Sequence, residues 1–285
     1  MPAERRSEES SMTDGYDLES GPDPATFAAA TPEPDFEASS EAVVHVVGIG
    51  PGNPEYLTPR AERTIREADV VVGFSTVVAF VEDRTDADVL TCGYRDEAET
   101  LSTFGERVAA GETGVAVAMG DPNHSGYQFV GKVQNAVERE ADREGVERST
   151  VRVVPGISSL QIAASRARTP MEEAEFVTLH KSGDLEADVD RLKRTVGERH
   201  LLVLPRPYDL MPGDLAATLL EAGAEPDLEA LVLERLTLED EQIHRFPLSE
   251  LAEYAGGNGR DDTPFSDLVV LAVRRPVPYE ASPAE

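Results

Sequence analysis

Val43-Val44-His45-Val46-Val47-Gly48-Ile49-Gly50-Pro51-Gly52-Asn53-Pro54, continued by Glu55-Tyr56-Leu57-Thr58-Pro59, decides the fold. Residues 43–49 are a short, nearly continuous apolar run. A strand buried on both faces reads this way, whereas a half-exposed strand alternates. A loop of small residues follows. Thr58 then offers a hydroxyl as N-cap, and Pro59 has the fixed φ favoured in a first helical turn, so a helix is predicted to about Ala68. Asp69-Val70-Val71-Val72-Gly73 returns to the strand pattern. Strand, loop, helix, strand is the repeating unit of a parallel sheet covered by helices.

Working outward, the alternation continues. Strands are predicted at 89–92, 114–119 and 151–154, and helices at 96–110, 127–143 and 158–168. It pauses at Thr169-Pro170 and resumes with strands at 176–179, 200–204 and 228–233 and helices over 185–196 and 215–222, the last closed by Gly223. Later strands at 243–246 and 268–273 have no long helix between them, so the second sheet is expected to be mixed. The expected organisation is a disordered acidic tail (1–41), an N-terminal α/β domain (42–170) with a mainly parallel sheet, a C-terminal α/β domain (171–277) with a mixed sheet, and a short tail (278–285). The first segment holds 11 acids and two arginines with no apolar periodicity, too little to offset chain entropy.

Composition excludes several classes. The 285 residues carry 55 Asp+Glu against 26 Lys+Arg, a formal charge of −29. Acids run along the whole chain, so general nucleic-acid binding is not expected. Lysine occurs three times and arginine 23 times. Such a surface suits a high-salt, halophilic cytoplasm, where screening tolerates self-repulsion. No apolar run is long enough to span a membrane, and the first residues lack the apolar stretch of a secretory signal. Cys92 stands alone, which rules out an intramolecular disulfide and a multi-cysteine zinc site. No metal is expected, and a reducing cytoplasm is the simplest compartment.

Three loops follow strands of the first half, where parallel sheets bind ligands. Gly48-Ile49-Gly50-Pro51-Gly52 is not the dinucleotide fingerprint G-x-G-x-x-G: the helix starts only at Thr58, Pro51 lacks an N–H for phosphate, and Asp69 begins a strand instead of ending one. This counts against a nicotinamide cofactor. Small residues here read either as a tight turn or as room for a ligand to approach the backbone. In Met119-Gly120-Asp121-Pro122-Asn123-His124-Ser125-Gly126, Asp121 either accepts hydrogen bonds from a ligand or turns the chain. In Val154-Pro155-Gly156-Ile157-Ser158-Ser159, one serine caps the next helix, whose first turn also offers N–H groups.

In this order VVGIGPGNPEYLT (46–58), GDP (120–122) and VPGISSLQIAA (154–164) resemble the tetrapyrrole methylase family, which methylates tetrapyrroles from S-adenosylmethionine. FVTLH (176–180), LLVLP (201–205), LERLTLEDEQI (233–243) and FSDLVVLAV (265–273) look like later blocks of the branch that methylates C5 of a cobalt-precorrin, the cobalt-precorrin-7 or precorrin-6Y C5-methyltransferases. Coverage is about 43–275. The chain departs from that branch in Asn123-His124-Ser125-Gly126, where Gly-Phe-Tyr-Gly is commoner, and in Lys181-Ser182, where Gly-Arg is usual.

The resemblance implies the two-domain tetrapyrrole methylase fold, normally dimeric, with S-adenosylmethionine between the domains. The matching cofactor positions are Pro51, Met119, Gly120, Asp121, His124, Ser158 and Ser159, with backbone contacts from Leu204 or its neighbours and from Leu236. The implied acceptor is a polycarboxylate tetrapyrrole, and a separate C15-methylating, decarboxylating enzyme is an expected partner. Methyl transfer from a sulfonium needs alignment more than a nucleophilic triad. No general base is identified. Carboxylates of the acceptor call for local positive charge, for which His124, Arg168, His180, Lys181 and Arg206 are candidates, with His180, Lys181 and Arg206 the acceptor-side set. Competing readings are another tetrapyrrole regiospecificity, a diphthine synthase, a nucleotide-dependent oxidoreductase and a non-catalytic binding protein.

Overall fold

A computed structural model of the chain describes residues 43–93, 95–207, 209–256 and 263–276. The expected tails, 1–41 and 278–285, lie outside these residues. The described chain divides into two compact units. One ends at Ile157 and takes in Lys181–Gly183, and the other comprises Ser158–His180 and the residues from Asp184 onward.

The first unit holds five strands: β1 (Val43–Gly48), β2 (Val70–Phe74), β3 (Asp88–Cys92), β4 (Gly114–Ala118) and β5 (Thr150–Val154). They form one sheet in the order β3-β2-β4-β1-β5, and every pairing is parallel. Its helices are α1 (Pro59–Arg66), α2 (Ser75–Val78), α3 (Glu97–Ala109) and α4 (Tyr127–Glu144). Thr58 caps α1 as its sequence predicts, accepting a hydrogen bond from Ala61 N–H at 3.2 Å. Side-chain alternation divides β1 between two cores. Val44 and Val46 join Phe104 and Val108 of α3 and Val133 and Val137 of α4. Val47 and Ile49 join Ala61 and Ile65 of α1 and Val77 and Val78 of α2 on the other face. Complete burial of chains such as Phe104 and Ile65 contributes roughly 1.5–3 kcal/mol each relative to exposure.

The second unit holds β6 (Ala174–Thr178), β7 (His200–Leu204), β8 (Glu229–Glu234), β9 (Gln242–Pro247) and β10 (Val269–Val273), in the order β6-β7-β10-β8-β9. Only β6 and β7 run parallel, and the last strand lies mid-sheet, antiparallel to β7 and β8. The sheet is mixed, as read from the sequence. Its helices are α5 (Ser159–Ala167), α6 (Glu186–Thr195), α7 (Pro212–Glu221) and α8 (Leu248–Leu251). The core gathers Leu179, Leu201, Leu215, Leu219, Val232 and Leu271.

Three details differ from the sequence reading. The expected junction at 170/171 groups α5 with the first sheet, whereas α5 packs on β7 and β10. Helix α7 starts at Pro212, ahead of the expected Leu215, because proline suits the first turn and Asp214 accepts a bond from Met211 N–H at 3.0 Å. The short helices α2 and α8 have too few residues to generate a periodic signal. No helix of the described residues is long and apolar enough to cross a membrane, and no cluster of three or more His, Cys, Asp or Glu among them is arranged for a metal.

Candidate functional site

Strands β1 and β4 are neighbours in the middle of the first sheet. The chain leaves β1 toward α1 on one face and leaves β4 toward α4 on the other. Loops that part to opposite faces at the carboxyl ends of adjacent parallel strands open a crevice where such sheets bind ligands. The first two glycine-rich loops occupy this place, and backbone bonds knit them together. Ile49 N–H donates to Ala118 O at 3.0 Å, Gly50 N–H to Gly120 O at 3.2 Å and Gly120 N–H to Gly50 O at 2.7 Å. Both glycines adopt left-handed conformations, φ +80° and +68°.

The third loop joins them through Gly156. A Cβ there would lie 2.1 Å from Gly120 O and 2.8 Å from the Gly48 carbonyl, and one on Gly48 would lie 2.6 Å from Gly120 O and 2.7 Å from Gly156 N. These two glycines therefore admit neighbouring backbone. Room for a ligand, the sequence reading of small residues in the first loop, is not the reason for Gly48. Pro51 is buried in the same cluster, and Met119 is half-buried at its edge.

Asp121 performs the turn that its sequence context offered. Its Oδ1 accepts from Asn123 N–H at 3.0 Å and from the Asn123 amide at 2.8 Å, while its carbonyl accepts from His124 N–H at 3.0 Å. Helix α4 is entered through Gly126, φ +100°, so Asp121 is not its cap. Half-buried Asp121 thus spends one carboxylate oxygen locally and keeps Oδ2 for another donor. Nearby, Gln128 on α4 clasps Ser182 from both sides: Ser182 N–H donates to Oε1 at 3.0 Å, and Nε2 donates to Ser182 O at 2.9 Å. This fixes the backbone beside Lys181. Sequence reasoning missed Gln128, because its partner is distant along the chain.

In the second unit, Ser158 caps α5. Its Oγ accepts from Leu160 N–H at 3.2 Å, and its own N–H donates to Gln161 Oε1 at 2.8 Å. The S-x-x-Q spacing 158–161 is a capping-box signature that would have identified Gln161. The box and the Gln161 N–H to Ser158 O bond occupy most of the N–H groups expected to be open, leaving that of half-buried Ser159. Arg168, an exposed residue at φ +55°, closes the far end of α5, about 15 Å from the cap at the helical rise per residue.

The paired ends of β6 and β7, Thr178 against Leu204, set His180 beside Pro205 and Arg206. Leu204 O accepts from Leu179 N–H at 2.8 Å. Desolvation pushes the His180 imidazole below the ordinary histidine value, against the influence of Asp267 and a hydrogen bond to the Pro205 carbonyl. His180 is nevertheless an exposed residue by its accessible surface. Arg206 grips Asp209 with two bonds of 2.6 Å, so much of its charge is already matched. Leu236 is buried between Arg235 at φ +50° and Thr237 at φ +71°. Cys92 is buried, and desolvation, then Glu97 and Asp96, push its thiol up to about 12, which removes it as a nucleophile at neutral pH.

The open oxygen of Asp121 beside exchange-bonded loop backbone suits a small ligand carrying hydroxyl or ammonium donors. The family model for Tetrapyrrole (Corrin/Porphyrin) Methylases matches residues 43–252. A probable cobalt-precorrin-7 C(5)-methyltransferase of Methanocaldococcus jannaschii is 30% identical over 211 residues, 74% of this chain and 92% of that protein. The cobalt-precorrin-4 C(11)-methyltransferase of the same organism is 22% identical, over 84% of this chain and 91% of that one. Among solved structures, the methyltransferase CobJ shares 22% identity at a TM-score of 0.65, over 82% of this chain and 94% of its own. The uroporphyrin-III C-methyl transferase of Thermus thermophilus, solved with S-adenosyl homocysteine, shares 24% identity at a TM-score of 0.55, over 81% and 91%.

Proposed function

The chain belongs to the tetrapyrrole methylase family, and from that premise we propose that it transfers a methyl group from S-adenosylmethionine to C5 of a cobalt-precorrin, a precorrin-6 type macrocycle. The observation that carries the regiochemistry is the likeness to the M. jannaschii C(5)-methyltransferase across 92% of that protein. Structural support comes from the bonded pair of loops at the ends of β1 and β4, which gathers Pro51, Met119, Gly120 and Asp121.

S-adenosylmethionine, when bound, supplies a methyl group already activated by its sulfonium. The residues of the chain have to hold and align it. Asp121 would accept, through Oδ2, from the donor's hydroxyl or ammonium groups. The resemblance assigns Pro51, Met119, Gly120, His124, Ser158, Ser159, Leu204 and Leu236 to holding the donor as well. His180 is the histidine candidate for hydrogen bonding toward the acceptor. Arg206 is paired with Asp209, and Lys181 and Arg168 are the further candidates for acceptor carboxylates. A homodimer, a cytoplasmic location and a separate C15-methylating, decarboxylating enzyme complete the proposal.

The test is direct. The purified protein is incubated with labelled S-adenosylmethionine and a panel of precorrins, and the new methyl is located by NMR. Label at C5 is expected. Label at C11 or C17 keeps the chemistry and reassigns the carbon, and label on a protein acceptor alone turns the reading toward a diphthine synthase.

A further inference from the structure

The segment Arg235-Leu236-Thr237 combines two features. Arg235 and Thr237 both lie in the left-handed region at φ +50° and +71°, and neither is glycine. For β-branched Thr237 this conformation is a true outlier, and such strain persists only where the surroundings over-determine it. The surroundings do impose it. Arg235 N–H donates to Leu268 O at 2.7 Å, and Arg235 Nε meets Asp240 Oδ2 at 2.5 Å. Thr237 N–H donates to Glu241 Oε2 at 2.7 Å. The other oxygen of Glu241 takes Arg166 Nε at 2.7 Å, and Arg166 sits on α5, the helix that begins at Ser158 and Ser159.

One carboxylate therefore ties the strained turn to the helix. Both carry residues assigned to the methyl donor. We infer that Glu241 is a positioning residue: it holds the turn around Leu236 in register with the start of α5, and so fixes the two donor-contact segments of the second unit relative to each other. Charge matching is consistent, since Arg166 first and then the Thr237 N–H keep the Glu241 carboxyl below the ordinary range. The inference rests on Leu236 and Ser159 contacting the donor.

The experiment uses the full chain and S-adenosylhomocysteine as probe. Affinity is measured by calorimetry for the wild type, Glu241→Ala, Arg166→Ala, the double variant and Glu241→Gln, with amide hydrogen exchange over 233–243 for each. Glu241→Ala and Arg166→Ala are expected to weaken binding about tenfold each, with the double variant no worse than the weaker single, as for two residues in one network. Exchange at Thr237 should rise in Glu241→Ala. Glu241→Gln keeps an oxygen for Thr237 and should recover most of the affinity. It also stands in if the alanine variant does not fold. Wild-type affinity matched by Glu241→Ala, or additive losses in the double variant, would overturn the inference. A wild type that does not bind the probe would overturn the functional reading on which it rests.

Discussion

At the scale of single residues, the question is which side chains of the loop cluster serve the ligand and which serve the loops. Asp121 serves the loop through Oδ1, and the proposed function assigns Oδ2 to the ligand. Asp121→Asn keeps an acceptor at the position of Oδ1 but removes the negative charge. It should weaken S-adenosylhomocysteine binding about 5- to 30-fold, the size of one charged hydrogen bond, with the melting temperature nearly unchanged. Equal affinity in calorimetry would restrict Asp121 to the turn. Gly156 is a different case. Its Cβ would overlap Gly120 O at 2.1 Å, and a backbone oxygen cannot swing away as a side chain end can. Gly156→Ala should cost about 1–3 kcal/mol in urea unfolding and loosen all three loops together. A neutral result would mean that the loops pack less tightly than their backbones indicate. The sequence announced the glycines as a group. It could not say that two of them face each other, because that depends on where β1, β4 and β5 end relative to one another.

At the scale of elements, His200 at the start of β7 is informative. It is buried, and its Nδ1 accepts from Arg275 N–H at 3.2 Å beyond the end of β10, so the ring ties two strands together in its neutral form. Desolvation first, then the charges of Arg275 and Arg274, push its pKa below the ordinary 6.5. The unfolded chain then binds more protons than the folded one at pH values between the lowered pKa and 6.5. The contribution is complete above that window and declines as the pH falls through it. Urea titrations in mildly acidic buffers should show this loss, and His200→Gln should flatten it. An identical pH slope in the variant would assign the effect to other groups. Helices and strands themselves were largely legible in the sequence. Thr58-Pro59 and the apolar runs act locally, whereas α2 and α8 were missed because four residues cannot reveal a period.

At the scale of the whole molecule, charge is the dominant feature. With 55 acids against 26 bases, many carboxylates can have no cationic partner, and exposed pairs that do form are individually weak. Repulsion should therefore outweigh attraction. Raising salt from about 0.1 to about 1 M shortens the screening length from about 10 to about 3 Å, and the melting temperature should rise markedly over that range. A flat or falling melting temperature in KCl would remove self-repulsion as a major term and with it the high-salt reading of the composition.

The sequence by itself determined the two α/β sheets, their parallel and mixed character and the family, because apolar period, capping residues and loop motifs are local and survive in the linear order. Tertiary structure decided what these motifs do. Packing between strand ends distant in sequence gave Gly48 and Gly156 to neighbouring backbone, and Asp209 matched the charge of Arg206. Glu241 was set between a strained turn and α5, 75 residues along the chain from its partner Arg166. A partner chosen by position in space leaves no periodic trace in the chain, and such roles became readable only once the fold had brought the groups together.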